Sequence, residues 1–331
     1  MQAKCLQFYE FGSPQEVLQL VETTIQPPQP HEILVRMLAR PINPSDLIPI
    51  RGSYAHRIAL PTIPGYEGVG IVEAVGAAVS SHFIGQRVLP LRGEGTWQEY
   101  VKAPANLAIL LPSTIDDLTA AQLYINPVTA WVICTEVLKL KPTDTLVVNA
   151  CSSAIGRIFA QLAKVLGFRL IAVTRNITYT QELLALGAAH VITADDHLRQ
   201  TVLAITNGQG ANAAIDSIGG HAGTELAFSV RPSGQFLTIG LLSGIQVDWE
   251  AIANKAQVKA NLFHLRHWNS KVSTTHWQAT FQQLIAVLQT NQLTLMPPAH
   301  QYKLTEIKEA VQMVETMRSG KGKVFLTSFN E

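Results

Sequence analysis

The chain has 331 residues, of which 47% are hydrophobic and 15% charged, and its formal net charge is +1. A chain of this length usually exceeds one hydrophobic core, so we expect two domains. The 25 basic and 24 acidic residues are spread evenly, which excludes the basic footprint of a protein that binds nucleic acid or an anionic membrane. A small, uncharged partner is favoured.

The cysteines and the N-terminal segment predict a cytoplasmic protein. Cys5, Cys134 and Cys151 are far apart and form no C-x-x-C pair, a pattern that predicts neither a disulfide framework nor a structural zinc site. The first residues, MQAKCLQFYEFG, lack the apolar core of a signal peptide. No apolar run approaches the length that crosses a bilayer, so we expect no membrane partner.

The first hundred or so residues combine many prolines and glycines with short apolar segments. These segments are ILVRML (33–38), GVGIVEAVG (68–76) and QRVLPL (86–91). Short apolar runs that are separated by turn-forming residues predict an irregular antiparallel β domain.

From about residue 145 the pattern changes to short β-branched runs that alternate with amphipathic stretches. Strands are predicted at 145–150, 169–174, 190–193, 213–219 and 235–240, and helices at 155–167, 180–187, 197–206 and 221–230. This repetition predicts a parallel, doubly wound sheet. Helices near 277–289 and 305–320 and a final strand at 323–328 follow, and we expect this tail to pack on the N-terminal domain.

The segment CSSAIG (151–156) lies where the first of these strands turns into a helix. The G-x-G-x-x-G template of dinucleotide-binding turns keeps only Gly156, the glycine that allows close packing of helix on strand. Ser153 is small where a pyrophosphate would approach, and the helix would point its N-terminal N–H groups at that phosphate. The turn alone leaves nucleotide binding and an ordinary strand-to-helix turn equally open.

The second predicted strand ends in Thr174, Arg175 and Asn176, and no carboxylate follows before Glu182. Domains that prefer NAD carry an acidic residue about twenty residues past the glycine turn, where it binds the ribose 2′-hydroxyl. A guanidinium suits a 2′-phosphate instead. We interpret Arg175 as the residue that selects NADPH; the alternative is a solvated loop cation.

Several motifs together resemble those of the medium-chain dehydrogenase/reductase superfamily. They are INPSD (42–46), PGYEGVGIVEAVG (64–76), GQRV (85–88), NPVTAW (126–131), NACSSAIG (149–156) and GKVFL (322–326). The resemblance covers nearly the whole chain. It implies an α/β fold with a Rossmann doubly wound parallel sheet at 121–267, which binds the cofactor. It also implies a GroES-like, mainly β catalytic domain at 1–120 that is completed by about 268–331.

Members of this superfamily that oxidise alcohols hold a catalytic zinc ion. The corresponding places here are occupied by Pro44 or Ser45, Tyr66 and Ile125, which are not useful zinc ligands. The four-cysteine structural zinc loop is missing as well, so we expect no metal. Without a Lewis acid, hydride needs an acceptor that is already activated, such as a quinone or a C=C bond conjugated to a carbonyl or thioester.

The motifs are similar to those of the zinc-independent branch, which contains quinone oxidoreductases and mitochondrial-type 2-enoyl thioester reductases. RGSYA (51–55), GTWQEY (95–100), DSIGGHAGTEL (216–226) and FHLRHW (263–268) favour the enoyl reductases. The resemblance implies an NADPH-dependent oxidoreductase whose partner is a small quinone or enoyl thioester. It also implies a homodimer that pairs through an edge strand near 261–266. The alternative is an NADPH-binding protein with little or no turnover.

The resemblance assigns catalytic roles to two residues of the first domain. Tyr54, in RGSY, would donate a proton or a hydrogen bond to the thioester carbonyl, since a phenol is protonated at neutral pH; the alternative is a half-exposed loop aromatic. Asn43, in NPSD, would orient the nicotinamide carboxamide or a substrate oxygen. A turn-forming role before Pro44 is the alternative.

The same resemblance assigns a set of residues to the cofactor. The set is Thr129, Ser153, Ala154, Ile155, Gly156, Thr174, Arg175, Asn176, Gly219, Ile239, Gly240, Leu241, Phe263, His264, Leu265 and Lys323. Two features depart from the enoyl reductases. The loop after Arg175 is shorter and lacks a second basic residue, and His264 stands where an aromatic residue is common.

Overall fold

The computed structural model describes residues 1–195, 197–317 and 320–328. Its strands are β1 Gln2–Gln7, β2 Gln19–Thr24, β3 Glu32–Pro41, β4 Val69–Val75, β5 Arg87–Leu89, β6 Tyr100–Pro104, β7 Ile109–Leu110, β8 Thr145–Val148, β9 Arg169–Thr174, β10 His190–Thr193, β11 Ala211–Asp216, β12 Val230–Thr238, β13 Lys259–Leu262, β14 Pro298–Tyr302 and β15 Lys323–Thr327.

The helices alternate with these strands. They are α1 Pro14–Val17, α2 Pro44–Ile50, α3 Asp117–Ala120, α4 Ile125–Val132, α5 Ala154–Leu166, α6 Thr180–Leu186, α7 Leu198–Ile205, α8 Gly220–Phe228, α9 Trp249–Lys255, α10 Leu265–Asn269, α11 Thr274–Gln289 and α12 Ile307–Thr316. A π-helical turn, Ile133–Val137, continues α4. Among the described residues, no helix combines the length and the apolar character needed to span a membrane.

The chain divides into two compact units. The first contains Met1–Ile125, Ser273–Gln289 and the described residues from Leu295 onward, and the second contains Asn126–Val272 and Thr290–Thr294. The sequence placed the two boundaries at 120/121 and 267/268. It gave no sign that the short segment 290–294 belongs to the second unit.

The first unit is built on a sheet in the order β14-β15-β3-β4-β5-β7, with β6 also paired to β3. β4 and β6 each pair antiparallel with β3. The inward side chains of these strands, including Ile33, Val35 and Val101, are fully buried. The tail strand β15 pairs antiparallel with β3, with Phe325 opposite Pro41. The predicted antiparallel β domain is therefore present, and the end of the chain contributes a strand to it.

The second unit contains a six-stranded sheet in the order β10-β9-β8-β11-β12-β13, in which every neighbouring pair is parallel. β8 is buried along its whole length, as is typical of parallel strands that are covered on both faces. The core between sheet and helices includes Val147, Ile171, Leu226 and Phe236. The predicted doubly wound α/β fold is confirmed.

Differences from the predicted elements occur mainly at their ends. The helix predicted at 305–320 begins as α12 at Ile307 and ends at Thr316, and its residues 318 and 319 lie outside the described residues. β14 has no predicted counterpart, because its sequence PAHQY lacks an apolar alternation and it pairs only with the distant strand β15.

Candidate active site

The carboxyl ends of the parallel strands carry most of the residues assigned to the cofactor. The strand order reverses between β8 and β11, and open α/β sheets bind ligands in the crevice at such a point. Asn149, just past β8, donates from its amide to the carboxylate of Asp216 at 2.5 Å. The side-chain amide oxygen of Asn149 accepts from the Ser217 N–H at 2.8 Å. These hydrogen bonds fix the two strand ends relative to each other.

The turn 151–156 has the compact geometry that the sequence predicts for Gly156. A Cβ at Gly156 would lie 2.5 Å from the Cα of Cys151, so only glycine fits against that backbone. Ser153 is the N-cap of α5, and its hydroxyl oxygen accepts from the Gly156 N–H at 3.3 Å. Burial raises the pKa of the Cys151 thiol to about 12, so this cysteine is a packing residue and not a nucleophile.

The end of β9 presents one cation. Arg175 is exposed, and among the described residues no carboxylate lies within ion-pair distance of it. The Thr174 hydroxyl donates to the carbonyl of Asn176 at 2.8 Å and shapes the loop. The nearby carboxylate of Glu182 pairs with Arg157 through both of its oxygens. Glu182 is therefore already engaged by a cation.

The loops after β11, β12 and β13 carry the other assigned residues of this edge. The N–H of Gly219, with φ at 78°, donates to the Asp216 carboxylate at 3.0 Å. The Ile239 N–H donates to the main-chain carbonyl of Asp216 at 2.8 Å, and Phe263 continues the sheet with a 2.9 Å bond to Thr238. The structure thus brings the segments 153–156, 174–176, 219, 239–241 and 263–265 to the carboxyl ends of one sheet. Thr129, by contrast, lies within α4 and is buried.

In the first unit, Tyr54 is half-buried and precedes a 3₁₀ turn, Ala55–Arg57. The guanidinium carbon of Arg57 lies 3.8 Å from the centre of the Tyr54 ring. This cation–π contact holds the ring against its own turn. Tyr66, at one of the places that correspond to the zinc site of the alcohol-oxidising members, is 46% exposed.

Asn43 occupies the centre of a buried polar cluster. Its amide nitrogen donates to Glu67 Oε1 at 2.7 Å, and its amide oxygen accepts from the ammonium of Lys323. The main-chain N–H of Asn43 donates to Asp46 Oδ2 at 2.7 Å. All four side chains are buried. We name Asn43, Asp46, Glu67 and Lys323 the Asn43 cluster.

Burial controls the protonation of this cluster. Desolvation raises the pKa of the Asp46 carboxyl from an ordinary 3.8 to about 7; the N–H of Asn43 and the ammonium of Lys323 oppose the rise, whereas the Glu67 carboxylate adds to it. Burial also raises the pKa of the Glu67 carboxyl, against the effect of Lys323 and of three N–H donors. The same desolvation lowers the pKa of the Lys323 ammonium.

The sequence singled out Asn43 and Lys323 but not the two carboxylates between them. Glu67 lies in PGYEGVG and Asp46 in NPSD, so both motifs contained the signal. An acidic residue inside an apolar, glycine-rich motif is a candidate for burial with a partner, because unpaired charges are rarely buried. Within the described part of the chain, no group of three or more His, Cys, Asp and Glu residues lies together so that it could hold a metal ion.

Two family models and one related protein match this chain. A family model described as the alcohol dehydrogenase GroES-like domain matches residues 29–113, and one described as zinc-binding dehydrogenase matches residues 154–290. The chain is 32% identical over 326 residues to the mitochondrial enoyl-(acyl-carrier-protein) reductase of Xenopus tropicalis, covering 95% of this chain and 92% of that protein.

Solved structures are similar over nearly the full length. A Bacillus thuringiensis protein with the provisional description NADPH:quinone reductase is 61% identical, with a TM-score of 0.97 and coverage of 99% of this chain and 100% of that chain. The Escherichia coli quinone oxidoreductase, solved in complex with NADPH, is 25% identical with a TM-score of 0.88, covering 98% of this chain and 100% of that chain.

Proposed function

The chain belongs to the zinc-independent quinone oxidoreductase and enoyl reductase branch of the medium-chain dehydrogenase/reductase superfamily, and we propose that it is an NADPH-dependent reductase of activated double bonds. The members of this branch are oxidoreductases. The observation that carries the proposal is Arg175, an exposed cation without a carboxylate partner among the described residues at the end of β9. Enoyl thioesters are the favoured acceptors.

The carboxyl edge of the second unit fits a dinucleotide with a 2′-phosphate. The small residues Ser153, Ala154 and Gly156 leave room for a pyrophosphate against the first turn of α5, whose N–H groups favour anions. Arg175 offers a guanidinium for the 2′-phosphate, and Glu182, which would repel it, is neutralised by Arg157. When bound there, NADPH supplies the hydride. We accordingly propose the second unit as the cofactor-binding domain and the first as the catalytic domain.

Tyr54 is the proposed proton donor of the first unit. Its phenol would hydrogen-bond the thioester carbonyl and supply the proton that balances hydride addition at the β-carbon. Arg57, stacked on the ring, stabilises negative charge that develops on the phenol oxygen as the proton leaves. Asn43 is proposed to orient the reacting carbonyl through its side-chain amide.

A quinone is the second candidate acceptor, and a specific observation favours it. The Bacillus thuringiensis protein, 61% identical, carries a quinone reductase description, whereas the relative at 32% identity is an enoyl reductase. A quinone accepts hydride without protonation of carbon, so it needs Tyr54 less. The motifs RGSYA and FHLRHW favour the enoyl acceptor.

A steady-state screen of the purified chain tests the proposal. NADPH oxidation is followed with crotonyl-type thioesters and with 1,4-quinones, and each assay is repeated with NADH. We expect turnover with the thioesters and a clear preference for NADPH. Binding of NADPH without turnover on either acceptor class would contradict the proposal and support a binding protein.

We also propose that two copies of the chain pair through β13, the edge strand of the parallel sheet, where Leu262 is 61% exposed. Sedimentation velocity would detect such a homodimer as twice the 36.1 kDa chain mass. A cytoplasmic location is proposed as well, because all three cysteines are free and buried.

A further inference from the structure

We propose that Glu67 and Lys323 are positioning residues of the reductase, which together fix the orientation of the Asn43 amide toward the substrate. This inference rests on the proposed function and adds two residues that no comparison assigns. It concerns residues of the first unit alone.

The charges on either side of Asn43 permit only one orientation of its amide. Glu67 Oε1 accepts from the amide nitrogen at 2.7 Å, and the Lys323 ammonium donates to the amide oxygen. A flipped amide would place its oxygen beside a carboxylate and its NH₂ beside an ammonium, and both contacts would be repulsive. These two neighbours therefore set the orientation of the Asn43 amide.

Glu67 and Lys323 are themselves held firmly. Glu67 Oε2 accepts from the N–H groups of Tyr124 and Ile125 at 3.1 and 2.7 Å, and the main-chain carbonyl of Glu67 accepts from the Thr96 hydroxyl at 2.9 Å. Lys323 begins β15, whose next residue is joined to the Ile42 N–H by a 2.9 Å hydrogen bond. The Glu67 carboxyl therefore cannot move without breaking hydrogen bonds to main-chain N–H groups, and the main chain that carries Lys323 is fixed in the sheet.

Charge balance in the cluster supports an oriented site. The Lys323 ammonium and the Glu67 carboxyl both bond the Asn43 amide, and each favours the charged form of the other. Asp46 Oδ2 accepts from the Asn43 N–H, and Asp46 Oδ1 has no hydrogen-bond partner among the described residues; burial raises the pKa of this carboxyl. A buried cluster built for packing alone would be better served by apolar side chains, since buried ion pairs seldom add stability.

The test combines three variants: Glu67→Gln, Lys323→Met and the double variant. We expect each single change to lower kcat with crotonyl thioester about 10- to 100-fold, because small misplacement of a reacting group is costly. KM for NADPH should stay within about twofold, because both residues act through the Asn43 amide; a larger rise in Lys323→Met alone would assign Lys323 to the cofactor and overturn its positioning role. The primary isotope effect with NADPH deuterated at the transferred position should rise as hydride transfer becomes slower.

The double variant separates one shared role from two independent roles. If both residues act through the same amide, the double variant loses about as much kcat as the worse single variant. It also removes the acidic and the basic partner of the Asn43 amide together, so it carries the test where a single variant fails to fold. Fold is checked by circular dichroism and thermal melting, and failure of all three to fold would overturn the inference in favour of a structural role.

Matched controls come from a partly exposed pair in the same unit, Lys102 and Glu94, whose charged atoms lie 3.2 Å apart. Glu94→Gln and Lys102→Met should leave kcat unchanged. Folded Glu67 and Lys323 variants with unchanged kcat and isotope effect would overturn the inference.

A readout without turnover keeps this inference distinct from the proposed function. With ¹⁵N-labelled asparagine, the side-chain amide of Asn43 is assigned by its loss in Asn43→Asp. We expect its hydrogen that faces Glu67 to resonate downfield and to shift upfield in Glu67→Gln. An unchanged resonance would overturn the positioning role. Absence of turnover in the unmodified protein would instead overturn the proposed function.

Discussion

Under the proposed function, Tyr54 is the residue that distinguishes the two acceptors. Reduction of an enoyl thioester needs a proton at carbon after hydride arrives, whereas reduction of a quinone does not. We expect Tyr54→Phe to lower the rate of enoyl reduction by about 10²- to 10⁴-fold, the usual contribution of a general acid. The rate of quinone reduction should change only a few-fold.

The control for this variant is Tyr9→Phe, which removes the hydroxyl of a 49% exposed tyrosine in the same unit. Initial rates of NADPH oxidation with each acceptor provide the measurement. An enoyl rate that survives Tyr54→Phe would remove this phenol from the mechanism.

Arg175 determines the proposed preference for NADPH. Replacing it by glutamine removes a charge-assisted contact to the 2′-phosphate, which contributes about 1.5–3 kcal/mol. The ratio of kcat/KM for NADPH over NADH should therefore fall about 10- to 100-fold. Arg169→Gln, at the opposite end of β9, is the matched control and should leave the ratio unaltered. Equal losses in both variants would argue against a 2′-phosphate site.

Asp46 makes the stability of the protein depend on pH. Its pKa in the fold is about 7, against an ordinary 3.8, so between these values the folded chain holds a proton that the unfolded chain releases. The contribution to stability is full below about pH 4, declines as pH rises to about 7, and is then constant. The total loss is about 4 kcal/mol, from about three pKa units.

Asp46→Asn should flatten this decline. Chemical denaturation at several pH values between 4 and 8 gives the free energy of unfolding of both proteins. The curves should diverge as pH rises, with the variant relatively more stable at pH 7. Parallel curves would mean that Asp46 is ionised in the folded protein.

At the scale of elements, α5 depends on one glycine. Gly156→Ala places a methyl group 2.5 Å from the backbone of Cys151, and such overpacking costs about 1–3 kcal/mol. It also displaces the first turn of α5, so NADPH affinity should fall, as measured by fluorescence titration. Gly167→Ala, at the C-terminus of the same helix, costs about 1 kcal/mol through its φ of 84° but should leave NADPH affinity intact. Unchanged NADPH affinity in Gly156→Ala would contradict the proposed phosphate site.

The sequence predicts the elements of the second unit well because their signals are local. β9 and β10 coincide with the predicted ranges, and α5 begins one residue early. Parallel strands buried on both faces give continuous apolar runs, which are visible without knowledge of the partners. β14 lacks such a run. It forms a strand through its pairing with β15, which its own sequence does not reveal.

At the scale of the whole molecule, the least predictable feature is the Asn43 cluster. Its members are separated by up to 280 positions in the chain, and the pairing of β15 with β3 brings them together. Each motif alone shows one polar residue in an ordinary context. Only the tertiary structure shows that two carboxylates and one ammonium share a buried space, and this explains why Glu67 was not anticipated.

The division into two units gives the proposed chemistry its organisation. The second unit carries the proposed anion-binding edge with Ser153 and Arg175, and the first carries Tyr54 and the Asn43 cluster. Each unit has its own hydrophobic core, so variants in one should leave the folding of the other largely unchanged.

The most direct test of the central claim follows the transferred hydrogen itself. Crotonyl thioester is reduced with NADPH that carries deuterium at the transferred position of the nicotinamide, and the product is analysed by mass spectrometry and NMR. We predict a saturated thioester with one deuterium on the β-carbon and a solvent-derived proton on the α-carbon. Consumption of the cofactor without deuterium on the β-carbon, or no saturated product, would contradict the account.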